Sequence, residues 1–278
     1  MASELDIAGF QTALKAKGFY GGEVDGTLNP ATKQAMDAMF AQEATSGRLA
    51  PGWQGWTDPR RKLAMEQAIM RDAGIAVGEI DGLIGPATRF ARDSYQNLLA
   101  TGKPIIIPER DETPAKPIPA TGKATIWPRQ AECESFYGPV GTNQVLLTLP
   151  YVMRLSWDPS QRVRRFSCHA KVHDAFLRVF EQTLKTYGED RIRELRLDLF
   201  GGCLNVRKMR GGTQMSMHSW GIAIDLDPEN NALQMTKAKA TFARPDYDDF
   251  WRIVESEGLV SLGRVRDFDW MHFQAARL

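Results

Sequence analysis

The sequence predicts an α+β domain in the C-terminal half, preceded by an all-helical N-terminal region. One motif occurs twice near the N-terminus, each time behind a stretch with helical spacing of apolar residues. A proline-rich segment follows, and beyond it periodic helical patterns come first and short strand-like runs later, the order of an α+β domain. The chain has 278 residues, 43% hydrophobic and 25% charged, enough for two domains or for one domain with small attached modules.

The first copy runs from Gly18-Phe-Tyr-Gly-Gly-Glu-Val-Asp-Gly-Thr-Leu-Asn-Pro-Ala-Thr32. It aligns without a gap on Gly74-Ile-Ala-Val-Gly-Glu-Ile-Asp-Gly-Leu-Ile-Gly-Pro-Ala-Thr88. Phe10, Ala13 and Leu14 precede the first copy, Leu63, Ala64, Ile69 and Met70 the second, and Gln11 and Gln67 occupy equivalent places. Each copy therefore reads as helix, Gly-rich loop, helix. Asp25-Gly26 and Asp81-Gly82 are turn dipeptides, and Pro30 and Pro86 suit the first turn of the next helix. Asn29 stands where the second copy has Gly85; asparagine tolerates a left-handed backbone, so the first loop is expected to form as well. The boundaries are placed at residues 1–48 and 49–100. Residues 101–122, with five prolines and mixed charge, read as a semi-extended linker. Residues 123–278 form the C-terminal domain.

Within that domain, residues 169–187 carry Val172, Phe176, Val179, Phe180 and Leu184 on one helical face, and residues 246–257 repeat the pattern with Phe250, Ile253 and Val254. Residues 195–200, 222–226 and 270–273 read as strands.

The chemistry gathers in Ser216-Met-His-Ser-Trp-Gly-Ile-Ala-Ile-Asp225 and Asp267-Phe-Asp-Trp-Met-His-Phe273. A catalytic zinc commonly takes three His or carboxylate ligands and keeps one position open. His218, Asp225 and His272 satisfy that requirement if Gly221 turns the chain into the strand that carries Asp225. Asp269, three residues before His272, is the candidate general base. Taken singly, each of these residues is more often structural; together they are harder to dismiss, because an unpaired polar group in a buried strand is costly. His169 and His173 lack the His-Glu-x-x-His arrangement and read as structural or exposed residues at the start of a helix. Cys133, Cys168 and Cys203 have no zinc-ribbon spacing and imply no disulfide framework. The net charge of +1 gives no drive toward nucleic acid. No apolar run approaches the roughly 18 residues of a membrane span, so membrane insertion is not expected.

The motif Ser-x-His-x-x-Gly-x-Ala-x-Asp, followed by Asp-x-x-His-Phe, resembles the D-alanyl-D-alanine carboxypeptidase and L-alanyl-D-glutamate endopeptidase family of zinc peptidases. That family shares its fold with the hedgehog signalling domain. The resemblance implies an antiparallel sheet with flanking helices and one Zn2+ held by His218, Asp225 and His272. It also implies Asp269 as base, Arg207 or Arg210 as the arginine holding the carbonyl oxygen or a substrate carboxylate, and Ser216 as a residue orienting the site. Both N-terminal copies resemble small helical peptidoglycan-binding modules, in which Trp53 and Trp56 are either core residues or a stacking surface for sugars, with at least one in the core. The implied protein is a monomeric peptidoglycan hydrolase of the phage-endolysin kind, made in the cytoplasm without a signal peptide and acting on the wall after release. L-alanyl-D-glutamate cleavage comes first; D-alanyl-D-alanine cleavage, a non-catalytic wall-binding protein and a hedgehog-like signalling domain are the alternatives.

Overall fold

The computed structural model describes residues 4–105, 126–209 and 214–278, in two compact units, Met1–Ile107 and Pro108–Leu278. Most of the expected linker, from residue 106 onward, lies outside the described residues. No helix among the described residues is long and apolar enough to cross a membrane.

The described part of the first unit contains four α-helices: α1 (Ile7–Ala16), α2 (Pro30–Thr45), α3 (Asp58–Asp72) and α4 (Pro86–Thr101). Both expected prolines open a helix. The two copies of the motif are built alike around a buried glutamine. Gln11 Nε2 donates to Asp25 Oδ1, the Thr27 carbonyl and Thr32 Oγ1 at 2.7, 3.1 and 3.1 Å, while its Oε1 accepts from Gly26 N at 2.8 Å. Gln67 repeats this with Asp81, Leu83, Thr88 and Gly82 at 2.9, 3.2, 3.0 and 2.8 Å. The repeated Asp-Gly and Thr positions thus serve an internal clamp that fixes loop to helix. Gly82 has φ 65°, and a Cβ there would lie 2.4 Å from the Arg60 carbonyl oxygen, so only glycine fits the second loop.

Asn29 corrects one expectation. Its backbone is extended (φ −82°, ψ 170°) rather than left-handed, and its Oδ1 accepts from Thr32 N at 2.8 Å as the N-cap of α2. The position demands a cap rather than a glycine-like turn, and asparagine is among the best caps. Gly85, its counterpart, caps without a side-chain bond. Trp56 is buried beside Phe40, and Trp53 packs partly against the same core.

The second unit holds α5 (Cys133–Tyr137), β1 (Gln144–Leu155), β2 (Asp158–His169), α6 (His173–Glu194), β3 (Leu199–Gly202), β4 (Ala223–Leu226), α7 (Asp248–Ser256), β5 (Val260–Ser261), α8 (Leu262–Arg266) and β6 (His272–Gln274). Its sheet has the order β2-β1-β3-β4-β6-β5. All neighbours are antiparallel except β1 and β3, which run parallel. The unit is mixed α and β, but the long amphipathic helix does not come before the strands: after the short α5, the long β1–β2 hairpin precedes α6. His169 ends β2 instead of starting the helix, and residues 195–198 lead into β3 rather than belonging to it. The α6 helix packs on β1, and the core between them includes Leu147, Met153, Phe176, Val179 and Phe180.

Candidate metal centre

Three elements bring the expected ligands together. His218 lies on a 3-10 turn, Met217–Trp220, which ends at Gly221 with φ 67° and ψ 35°. Gly221 lies in the left-handed region that favours glycine, and a Cβ there would also press to 3.2 Å from His169 N, so glycine eases the reversal of the chain into β4. Asp225 sits on β4 between β3 and β6. There it pairs with Gly202 on one side and His272 on the other. Directly opposed residues of an antiparallel pair project to the same face, so the register itself sets Asp225 beside His272. On the β3 side, a Cβ on Gly201 would lie 2.9 Å from the Asp225 carbonyl oxygen.

All three side chains are buried, and the partners behind the two rings decide which nitrogens carry hydrogen. His218 Nδ1 lies 2.7 Å from the Cys203 carbonyl oxygen, which can only accept; Nδ1 therefore carries the proton and Nε2 presents a lone pair. The Gln274 amide is oriented by its Nε2, which donates to the Ala276 carbonyl at 2.9 Å. Its Oε1 consequently faces His272 Nε2 at 3.0 Å and accepts from it, which leaves His272 Nδ1 bare.

The three inward atoms are all acceptors. His218 Nε2 lies 3.2 Å from Asp225 Oδ1 and 3.2 Å from His272 Nδ1, and His272 Nδ1 lies 2.9 Å from Asp225 Oδ1. Burial pushes the His218 pKa down, against the pull of Asp225, so this ring stays neutral. Two lone pairs and a carboxylate oxygen thus face one another away from water, an arrangement that a cation among them would stabilise. Around a tetrahedral zinc with bonds of about 2.0–2.1 Å, neighbouring ligand atoms stand about 3.3 Å apart, close to the separations here. The donor set fits zinc, and each histidine has its outer nitrogen held by an acceptor, as metal-ligating histidines generally do.

The remaining expected site residues are distributed as follows. Asp269 is buried in a turn closed by His272 N donating to its carbonyl at 3.0 Å, and its own N–H donates to the Leu233 carbonyl at 3.0 Å. Its φ of 57° is a left-handed conformation that aspartate tolerates better than most residues. Arg207 lies on the segment that follows β3, close enough to His218 for its charge to contribute to lowering that pKa. Arg210 falls outside the described residues. Ser216 precedes the 3-10 turn and is buried, and its N–H donates to the Arg207 carbonyl at 3.0 Å.

The other two histidines stand apart from the triad. His169 Nε2 donates to the Tyr137 carbonyl at 2.9 Å while Nδ1 accepts from Lys171 N at 3.1 Å, and His173 pairs with Asp174 at 2.8 Å. Sequence reasoning missed Gln274, Cys203 and Ser219. Gln274 and Cys203 act on the histidines through an amide and a main-chain carbonyl, and Ser219 holds main-chain atoms across the fold, so no residue spacing announces them.

A family model described as D-alanyl-D-alanine carboxypeptidase matches residues 210–275. The matched segment contains His218, Asp225, Asp269 and His272 and omits the helical unit, β1, β2 and β3. It supports a zinc-peptidase type of hydrolase for this part of the chain, in agreement with the donor set of the triad. No curated protein and no solved structure matches the chain.

Proposed function

We propose that the C-terminal unit is a zinc metallopeptidase that cuts the stem peptide of peptidoglycan, with the L-alanyl-D-glutamate bond as its target. The observation that carries the proposal is the convergence of His218 Nε2, Asp225 Oδ1 and His272 Nδ1, 2.9–3.2 Å from one another and buried, with the outer nitrogen of each ring already on an acceptor. His218, Asp225 and His272 would hold the ion, and His218 Nε2 and His272 Nδ1 are the ligating nitrogens. When bound, zinc supplies a Lewis acid and lowers the pKa of water toward about 7. The Asp269 carboxylate takes the proton from the attacking water and passes it to the leaving amine. Arg207 holds the negative charge that develops on the carbonyl oxygen, a contribution typically worth roughly 3 to 4 kcal/mol.

The duplicated helical motif supports a wall-bound substrate, since attachment to an insoluble polymer raises the local concentration of its peptides. Synthesis in the cytoplasm, with release to the wall through a separate pore as phage endolysins do, belongs to the same reading. The description of the matching family favours a second reading, cleavage at D-alanyl-D-alanine.

Digestion of purified sacculi, with and without a zinc chelator, separates the two readings. New D-glutamate amino termini that vanish with chelator, and in Asp269→Ala, are the expected result. Released D-alanine would move the target to the second bond, and intact sacculi would overturn the peptidase reading.

A further inference from the structure

The segment that bears Arg207 is stitched to the turn that bears His218. His218 Nδ1 donates to the Cys203 carbonyl at 2.7 Å, and Asn205 N donates back to the His218 carbonyl at 2.9 Å. The last stitch is made by Ser219, which has no exposed surface. Its Oγ accepts from Arg207 N at 3.0 Å and donates to the Arg207 carbonyl at 2.7 Å, so one hydroxyl grips both main-chain polar atoms of a single residue. Ser219 is itself held by its main chain: its carbonyl accepts from Gly141 N at 2.8 Å and its N–H donates to the Ser216 carbonyl at 2.8 Å. A hydroxyl is the smallest side chain able to accept and donate at once, and a buried one loses both bonds on truncation.

We infer that Ser219 is a positioning residue for the peptidase reaction, setting Arg207 in register with His218 so that the guanidinium and the metal site address the same carbonyl. The inference rests on the peptidase reading and extends it to a residue that touches neither substrate nor metal. Because Ser219 follows His218 in the chain and binds the Arg207 backbone rather than its guanidinium, one short turn fixes both the ligand and the arginine. Displacement of a catalytic group by about 1 Å can cost on the order of a hundredfold in rate. Leu204 and Val206, exposed on the same segment, would shift with it.

The test combines a double-mutant cycle with amide hydrogen exchange on the full-length zinc-loaded protein. Ser219→Ala is expected to lower kcat on sacculi-derived peptides about ten- to a hundredfold, with zinc content unchanged, and to lower it less than about twofold in an Arg207→Ala background. Exchange across residues 203–209 should rise at least about tenfold, because the Arg207 N–H loses its acceptor. Ser219→Cys, which retains a weak donor of similar size, should recover part of both effects. Equal losses in the two backgrounds, loss of zinc from Ser219→Ala, or unchanged exchange at 203–209 would each overturn the inference. If the unmutated chain leaves peptidoglycan peptides intact, the peptidase reading falls and takes the catalytic role of Ser219 with it, while the exchange measurement still decides whether Ser219 holds the segment.

Discussion

Gln11 and the triad of His218, Asp225 and His272 are both polar groups sealed away from water, yet their hydrogen bonds are distributed in opposite ways. Around Gln11, and around Gln67 in the second copy, donors meet acceptors: the amide nitrogen feeds a carboxylate, a carbonyl and a hydroxyl, and the amide oxygen receives a main-chain N–H. Around Asp225, acceptors meet acceptors, because Cys203 and Gln274 have already taken the ring hydrogens. A satisfied cluster stabilises the fold and needs nothing further. A cluster of facing acceptors is incomplete in itself and points to a cation. A repeated motif is therefore not by itself a binding site. The Asp-Gly and Thr positions shared by the two N-terminal copies serve a structural clamp, and any wall contact falls to the residues around it.

That contrast can be tested at several strengths. Gln11→Leu or Gln67→Leu should destabilise the helical unit by about 3 kcal/mol, since it strands several partly buried polar groups at once, while zinc content stays constant. Chemical denaturation followed by circular dichroism measures this, and an unchanged midpoint would break the contrast from the helical side. Gln274→Leu should leave the helical unit untouched and weaken zinc binding about ten- to a hundredfold by freeing the outer nitrogen of His272. Competition with a chromogenic chelator reads that affinity.

The effect of pH follows in size. Burial lowers the pKa of both His169 and His218. Below about pH 6.5 the unfolded chain therefore takes up protons that the folded chain refuses. Stability of the metal-stripped protein is thus complete above about pH 6.5 and falls as the pH drops below it, by up to about 1.4 kcal/mol per pH unit for each histidine. Urea midpoints that stay constant between about pH 6.5 and 5.5 would contradict it. Smallest is the loss of a cap: Asn29→Ala should cost about 1 kcal/mol, whereas the matching Gly85→Ala removes no side-chain bond.

Much of the site was legible in the sequence because its residues sit in two short motifs, and the strand register brings those motifs together. His218, Asp225 and His272 converge as expected, and Gly221 makes the reversal foreseen for it. The β1–β2 hairpin was missed. Its first strand alternates Leu147, Leu149, Tyr151 and Met153 into the core, but Pro150 and a register shift between Thr148 and Met153 interrupt it, and its second is an edge strand with exposed Arg162, Arg164 and Arg165 and little alternation. The helical pattern was read back as far as His169 because Val172 and Phe176 suit a helix, although the chain is still extended at His169. Asn29 was misread because its side chain acts on Thr32 N, and the backbone conformation needed for a cap cannot be told from composition. Gln274, Cys203 and Ser219 escaped for a related reason: each acts at a distance along the chain through main-chain or amide atoms.

If the facing acceptors are a zinc site, the metal content of the protein shows it. The full-length protein and its Asp225→Ala variant would be stripped, reloaded with zinc, passed over a desalting column and assayed by mass spectrometry for metal. One zinc per chain is expected in the unmutated protein and none in the variant, with the helical unit folded in both. A folded unmutated protein that retains no zinc, or a variant that retains as much, would contradict it.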